Sequence, residues 1–104
     1  MTNQEIGKIL TQVINEKYPG IDMGIYVMSG YNPLYITSAN QLIYTIFLSV
    51  SSNDYTKYNN EGLDKPKLDK IRELIRDFFK MLGIQDKVKF QFWNRDEFSP
   101  IIDD

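Results

Sequence analysis

The chain has 104 residues, of which 42% are hydrophobic and 25% charged, and its net charge is −2. This is the size and composition of one globular domain. The sequence contains neither cysteine nor histidine, so disulfide scaffolds, thiolate or imidazole metal sites and histidine-dependent catalysis are excluded. No catalytic motif of carboxylates, Lys, Tyr or Ser is present either, and we expect a non-enzymatic protein without a cofactor.

The first predicted elements are a helix and a strand. Thr2 and Glu5 match a capping box, and apolar residues then recur at helical spacing, which predicts a helix over residues 3–17. Apolar residues alternate with others over residues 21–28, which predicts a strand. Turn-forming residues at 29–33 would end that strand.

The most strand-like segment of the chain lies in its middle and is followed by a polar stretch. Residues 41–51 are rich in β-branched and aromatic side chains and are apolar on both faces, and residues 34–37 are a candidate for a short additional strand. Residues 52–64 have little periodicity, as is typical of a functional or mobile loop. Because a membrane helix needs roughly 20 apolar residues and no signal peptide is recognisable, the sequence favours a cytoplasmic protein without membrane contact.

The last predicted elements are a second helix, a third strand and a tail. The second helix begins near Pro66, carries an apolar stripe as far as Leu82, and ends before Gly83, which suits a left-handed terminating residue. Alternation predicts a strand over residues 87–93. Residues 94–104 are predicted to form an acidic C-terminal tail.

Together these elements predict a single α+β domain over residues 1–104, with an ordered core at about residues 3–93. The elements follow the order α-β-β-α-β. We expect a mostly antiparallel sheet of three strands, or of four if the short segment pairs. Both helices would pack on one face of this sheet, because each has a single apolar stripe to bury.

The helix-free face of the predicted sheet is the first candidate site. The two-residue period of a strand places apolar and aromatic side chains on it, where a solvated face would be polar. Exposed aromatic groups are common anchors of protein interfaces. The candidate partner-binding residues are Tyr26, Met28, Ile43, Phe47 and Trp93, with Tyr55 and Tyr58 from the polar loop. Alternatively, residues 29–40 or the C-terminal tail, through Phe98 and Ile101, cover this face.

A basic face on the second helix is the second candidate site. Residues 65–89 carry eight basic and four acidic groups and lie between acidic flanks. The candidate basic residues are Lys67, Lys70, Arg72, Arg76, Lys80, Lys87 and Lys89. Acidic and basic rows at i, i+4 spacing would equally form an ordinary salt-bridged helix surface.

The predicted order of elements over about residues 3–93 is similar to that of the type II KH-like domains. This resemblance implies an RNA- or ribosome-associated role in which the basic residues contact phosphates. The G-x-x-G motif of that family is absent from this sequence.

Three functional hypotheses follow, of which the third is an enzyme that uses carboxylates or lysine. The first is a non-enzymatic protein-interaction module of the inhibitor, immunity or adaptor type, as small proteins of mobile elements often are. It would bind a protein partner, or form a homodimer, through the open sheet face. The alternative is a KH-like nucleic-acid-binding protein that uses the basic face.

Overall fold

The computed structural model describes residues 1–31, 42–51, 65–84, 87–96 and 99–103. The segments predicted as a short strand at 34–37 and as a loop at 52–64 lie outside the described residues. The helices and strands of the described part are α1 (Asn3–Lys17), β1 (Met23–Tyr31), β2 (Leu42–Val50), α2 (Lys65–Met81), β3 (Lys87–Asn94) and β4 (Ser99–Asp103).

These strands form one mixed sheet in the order β1-β2-β3-β4. β1 pairs with β2 and β3 pairs with β4 in antiparallel fashion, whereas β2 and β3 run parallel. The parallel pair follows from the connection, because a helical crossover such as α2 returns the chain to the same end of the sheet. The predicted α+β class and the α-β-β-α-β order are therefore confirmed.

The fourth strand of the described sheet comes from the C-terminal segment, which the sequence analysis predicts as a tail. Residues 99–103 pair with β3, and the register shifts between Phe92 and Trp93. A short segment with a proline has little strand propensity by itself, but Pro100 is tolerated because β4 lies at the sheet edge. These five residues extend the sheet in its own plane, so this part of the tail does not lie over the helix-free face of the sheet.

β1 is longer at its carboxyl end than the sequence predicts. Residues 29–31, expected to begin a turn, continue the strand and pair with residues 42–44 of β2. Pairing with the apolar strand β2 decides the local conformation, because it outweighs the weak turn propensity of Ser29 and Gly30.

The core lies between the two helices and one face of the sheet. α1 contributes Ile6, Leu10 and Ile14, all at most 2% exposed, from a helix that begins with the predicted capping box at Thr2 and Glu5. The other buried side chains of the core include Leu68, Ile71, Ile75 and Phe79 of α2, Met23 and Ile25 of β1, Ile46, Leu48 and Val50 of β2, and Phe90 and Phe92 of β3.

α2 ends in the hydrogen-bond pattern of a Schellman motif. The Ile84 N–H donates to the Phe79 carbonyl at 3.0 Å, and the Gly83 N–H donates to the Lys80 carbonyl at 2.9 Å. Gly83 has a φ of 75°, a left-handed conformation that glycine adopts without the clash of a Cβ. The predicted end of the second helix is thus confirmed.

Neither helix of the described segments combines the length and the apolar character that crossing a membrane requires.

Candidate interaction surface

The face of the sheet opposite the helices, here called the open face, exposes large apolar side chains. Tyr26 and Met28 of β1 are each 61% exposed. Their neighbours Ile25 and Val27 point the other way, where Ile25 is buried in the core and Val27 packs against it. Strand alternation thus places Tyr26 and Met28 on the face that the helices leave uncovered.

Strand pairing brings the apolar residues of the open face together. Tyr26 lies opposite Phe47 in β2, and Ser49 of β2 lies opposite Trp93 in β3. The rings of Phe47 and Trp93 are neighbours, with centroids 6.2 Å apart and an interplanar angle of 57°. The indole Nε1 of Trp93 donates to the Gln91 Oε1 at 2.9 Å, so the polar edge of this ring is satisfied within β3.

A concave depression of about 620 Å³ lies among these side chains. Phe47 and Trp93 are half-buried within it, and the buried Ser49 is among the residues that line it. The exposed Tyr26 and Met28 line its β1 side. The full lining is Tyr26, Met28, Phe47, Ser49, Trp93, Arg95 and Asp96.

The charged end of the depression is fixed by hydrogen bonds. The Nη2 of Arg95 donates to the backbone carbonyl of Asp22 at 3.0 Å and to its Oδ2 at 2.9 Å. The Asp96 N–H donates to the Oδ1 of the buried Asn94 at 3.1 Å. These contacts join the start of β1 to the end of β3, so the apolar depression has an ordered polar rim on one side.

The structure brings together only part of the predicted partner-binding set. Tyr26, Met28, Phe47 and Trp93 line one depression. Ile43 is half-buried and lies on the same strand as Phe47, outside the lining of that depression. Tyr55 and Tyr58 lie outside the described residues. Sequence reasoning missed Arg95 and Asp96, which follow β3 and were placed in the tail.

The residues predicted to form the basic face lie in different environments, and one of them is buried. Arg72 is only 6% exposed, and its Nη1 lies 3.3 Å from the Oδ1 of Asp69. The guanidinium carbon of Arg76 lies 4.8 Å from the centre of the Phe90 ring, a cation–π contact. Lys70 and Lys80 are exposed, Lys67 and Lys89 are half-buried, and Lys87 lies opposite Ile43 at the start of β3.

The contrast between these two surfaces decides which of them is the better candidate. Arg72 was predicted to be exposed but cannot contribute to a surface, because it lies four residues after Leu68 and three before Ile75, within the buried stripe of α2. The other cations of α2 are interleaved with acidic residues. The open face instead groups apolar side chains into one continuous area.

A further set of residues, which the sequence analysis did not single out, fixes α1 against β1. Asn15 accepts from the Met23 N–H at 3.0 Å and donates to the Met23 carbonyl at 2.8 Å. Thr11 Oγ1 accepts from the Ile25 N–H at 3.0 Å. These side chains bond the outer edge of β1 as a neighbouring strand would, and they also hold the strand that carries Tyr26 and Met28.

Asn15 and Thr11 belong to a row of residues spaced four apart on one face of α1, and Gly7 and Asn3 are its other two members. Asn3 Nδ2 donates to the Ser29 Oγ at 2.8 Å. At Gly7, which is buried, the helix approaches so closely that an added Cβ would lie 2.9 Å from the Ile25 carbonyl oxygen. A row of small or polar residues at positions 3, 7, 11 and 15 was visible in the sequence, but its partner was not.

Comparisons of the chain with protein-family models, with curated proteins and with solved structures found no match.

Proposed function

We propose that this chain is a non-enzymatic protein-interaction module, of the inhibitor, immunity or adaptor type, that binds its partner through the open face. The observation that carries the proposal is the exposure of Tyr26 and Met28, 61% each, in the depression that they line together with Phe47 and Trp93. The largest contiguous exposed apolar patch on a single domain is often a partner site.

The composition of the open face supports a protein as the partner. Its centre consists of Tyr, Met, Phe and Trp side chains, the types that are enriched in the cores of protein interfaces. At its rim Arg95 and Asp22 are joined at 2.9 Å, and Lys89 lies on the same face in line with Thr45 and Met28. On such a surface most of the binding free energy comes from removing apolar groups from water. A shallow, complementary protein surface does this.

Binding to nucleic acid has less support from the geometry. Neutralisation of phosphates requires accessible cations at the surface, but Arg72 is buried, and the exposed Arg76 has its guanidinium over the Phe90 ring. Asp69, Glu73 and Asp77 are all exposed on the same helix. The exposed lysines are therefore accompanied by anions that would repel a phosphate backbone.

The proposal is tested by comparing Met28→Lys with Met81→Lys as baits in affinity capture. Met28 lies on the open face, and Met81, 84% exposed, lies at the end of α2 away from it. Both changes add one charge at an exposed methionine, so both should leave folding stability within about 0.5 kcal/mol of the wild type. Titration of each bait with the recovered partner then measures the affinity directly.

We expect the partner to bind Met28→Lys more than about 10-fold more weakly, because a lysine forced into an apolar contact costs at least 1.4 kcal/mol of binding free energy. Met81→Lys should bind like the wild type. Equal retention of the partner by both variants would contradict the proposal. Loss of binding in Met81→Lys alone would place the site elsewhere on the chain.

A further inference from the structure

We infer that the second half of the β1 edge is a docking site for an extended, acidic peptide segment of a partner protein, which pairs with β1 as an additional strand. This inference goes beyond the proposed function, because it concerns the backbone edge of the sheet rather than its open face. In this mode of binding, backbone hydrogen bonds supply the affinity and alternate side chains of the peptide supply the specificity.

The hydrogen bonds of α1 show which backbone groups of β1 point away from β2. Asn15 accepts from the Met23 N–H and donates to the Met23 carbonyl, and Thr11 Oγ1 accepts from the Ile25 N–H. In an antiparallel pair, the N–H and carbonyl of every second residue face the partner strand, and those of the residues between face away. The outward backbone groups of β1 are therefore those of its odd-numbered residues.

The next two outward residues, Val27 and Ser29, offer their backbone groups to a partner. In the row of α1 residues that faces this edge, Asn3 bonds the side-chain Oγ of Ser29 at 2.8 Å, and Gly7 has no side chain. Within the described part of the chain, no hydrogen bond uses the outward N–H or carbonyl of Val27 or Ser29. Two donors and two acceptors thus lie along this stretch of the edge, in the alternation that a pairing strand requires.

A depression of about 730 Å³ runs along the same edge. The consecutive β1 residues 24–28 line it, and because successive residues point to opposite faces of a sheet, its wall on this side is the backbone edge itself. The exposed Gln4, Lys8 and Gln12 belong to its opposite wall on α1. With ~4.8 Å between strands, ~10 Å between packed layers and ~3.3 Å per residue, a strand occupies roughly 160 Å³ per residue, so the depression accommodates about four residues of extended chain.

The side chains that line this depression favour an acidic peptide with apolar alternate residues. Lys8 carries the one charge among the described residues of the lining. On the β1 side, the exposed Tyr26 and Met28 offer apolar contacts. We therefore expect apolar peptide side chains over Tyr26 and Met28, and an Asp or Glu of the peptide next to Lys8.

The first test measures amide hydrogen exchange in the free protein by NMR. We expect the Val27 and Ser29 amides to exchange at least about 10-fold faster than those of Met23 and Ile25, because side chains of α1 bond only the latter two. Equal protection of all four amides would show that the second half of the edge is already covered, and it would overturn the docking site.

The second test selects short peptides from a random display library against the wild-type chain and titrates the strongest one. Ser29→Pro removes the outward N–H and no hydrogen bond to β2, whereas its control Ser29→Ala keeps that N–H and loses only the bond from Asn3. We expect Ser29→Pro to bind the peptide about 10-fold more weakly and Ser29→Ala to bind it like the wild type. Lys8→Glu should weaken binding similarly, and its control Lys17→Glu, at an exposed lysine outside the depression, should not.

N-methylated forms of the selected peptide test the same pairing on the wild-type protein, and they decide the matter if circular dichroism shows that Ser29→Pro is unfolded. Only alternate amides of a pairing strand face β1, so methylation of one alternate set should abolish binding and methylation of the other should not. Equal effects of the two sets, unchanged binding in a folded Ser29→Pro, or a library without binders would overturn the proposal.

Two further outcomes separate this inference from its alternatives. A wild-type dimer, detected by light scattering, that Ser29→Pro dissociates would identify a second copy of the chain as the occupant and overturn the peptide. Neither Ser29 nor Lys8 lines the depression of the open face. Failure of the edge site in these tests would therefore leave the proposed function standing, whereas equal retention of a partner by Met28→Lys and Met81→Lys contradicts only the latter.

Discussion

Replacement of Gly7 by alanine has two opposite effects on the free energy of unfolding, because Gly7 lies in α1 where the helix contacts β1. In the interior of an exposed helix, Gly→Ala stabilises by about 1 kcal/mol, because alanine has less backbone freedom to lose. Gly7 is buried, however, and an added Cβ would lie 2.9 Å from the Ile25 carbonyl oxygen and 3.8 Å from the Tyr26 Cα. The neighbours are backbone atoms that no rotamer change can move aside, so α1 must shift away from β1.

The shift also weakens the hydrogen bonds that the same helix face makes. Thr11 Oγ1 lies 3.0 Å from the Ile25 nitrogen, and this bond lengthens as the helix moves. Overpacking costs about 1–3 kcal/mol, and a weakened hydrogen bond costs up to about 1.5 kcal/mol more. Because these costs exceed the gain in helix propensity of about 1 kcal/mol, we expect Gly7→Ala to lower the free energy of unfolding by about 1–2 kcal/mol.

Urea unfolding monitored by circular dichroism measures this loss, and thermal unfolding should show a midpoint lower by roughly 4–8 °C for each kcal/mol. Gly30→Ala is the matched control on β1, because no atom of the described residues lies within 4 Å of a Cβ built there. We expect the control to be neutral or slightly stabilising. If Gly7→Ala is as stable as the wild type or more stable, the close contact between α1 and β1 does not exist.

Two further substitutions, each with a control, test the second helix by the same urea measurement. Ile75→Ala removes a fully buried side chain and should lower the free energy of unfolding by about 2–5 kcal/mol. Its control Met81→Ala, at a position 84% exposed, should change stability by less than about 0.5 kcal/mol, and similar costs for both would contradict the burial of this face of α2. Gly83→Ala forces a side chain into a left-handed conformation with φ 75° and should cost about 1–2 kcal/mol, while Gly20→Ala, with open space around its Cβ, should be nearly neutral. An unchanged stability in Gly83→Ala would contradict the observed end of α2.

Regular periodicity explains which parts of the fold were predictable. The apolar spacing in α1 and α2, the capping box at Thr2 and the terminating Gly83 are local signals, and each predicted its element correctly. β4 and the last residues of β1 were not predicted because their conformation depends on pairing with β3 and β2. A short strand that contains Pro100 has no local pattern that separates it from a loop.

The candidate surface was predictable residue by residue but not as a shape. Alternation alone assigns Tyr26, Phe47 and Trp93 to one face. The neighbouring positions of Phe47 and Trp93, however, depend on the parallel register between β2 and β3, for which the sequence has no separate signal. The burial of Arg72 could have been predicted, because its spacing from Leu68 places it on the apolar stripe of α2.

The arrangement of the sheet edges bears on how this protein can associate. An edge strand with free backbone groups invites pairing with a strand of another chain. On β1, Asn15 and Thr11 bond the outward backbone groups of Met23 and Ile25, so a second strand could pair with this first part of β1 only by displacing α1. β4 at the other edge has only five residues and includes Pro100, which lacks an N–H to donate. Addition of a strand is therefore disfavoured at the start of β1 and at β4, while Tyr26 and Met28 remain exposed on the open face. Beside these two stretches, contact through side chains of the face, rather than through backbone at an edge, is thus the mode of association that this sheet favours.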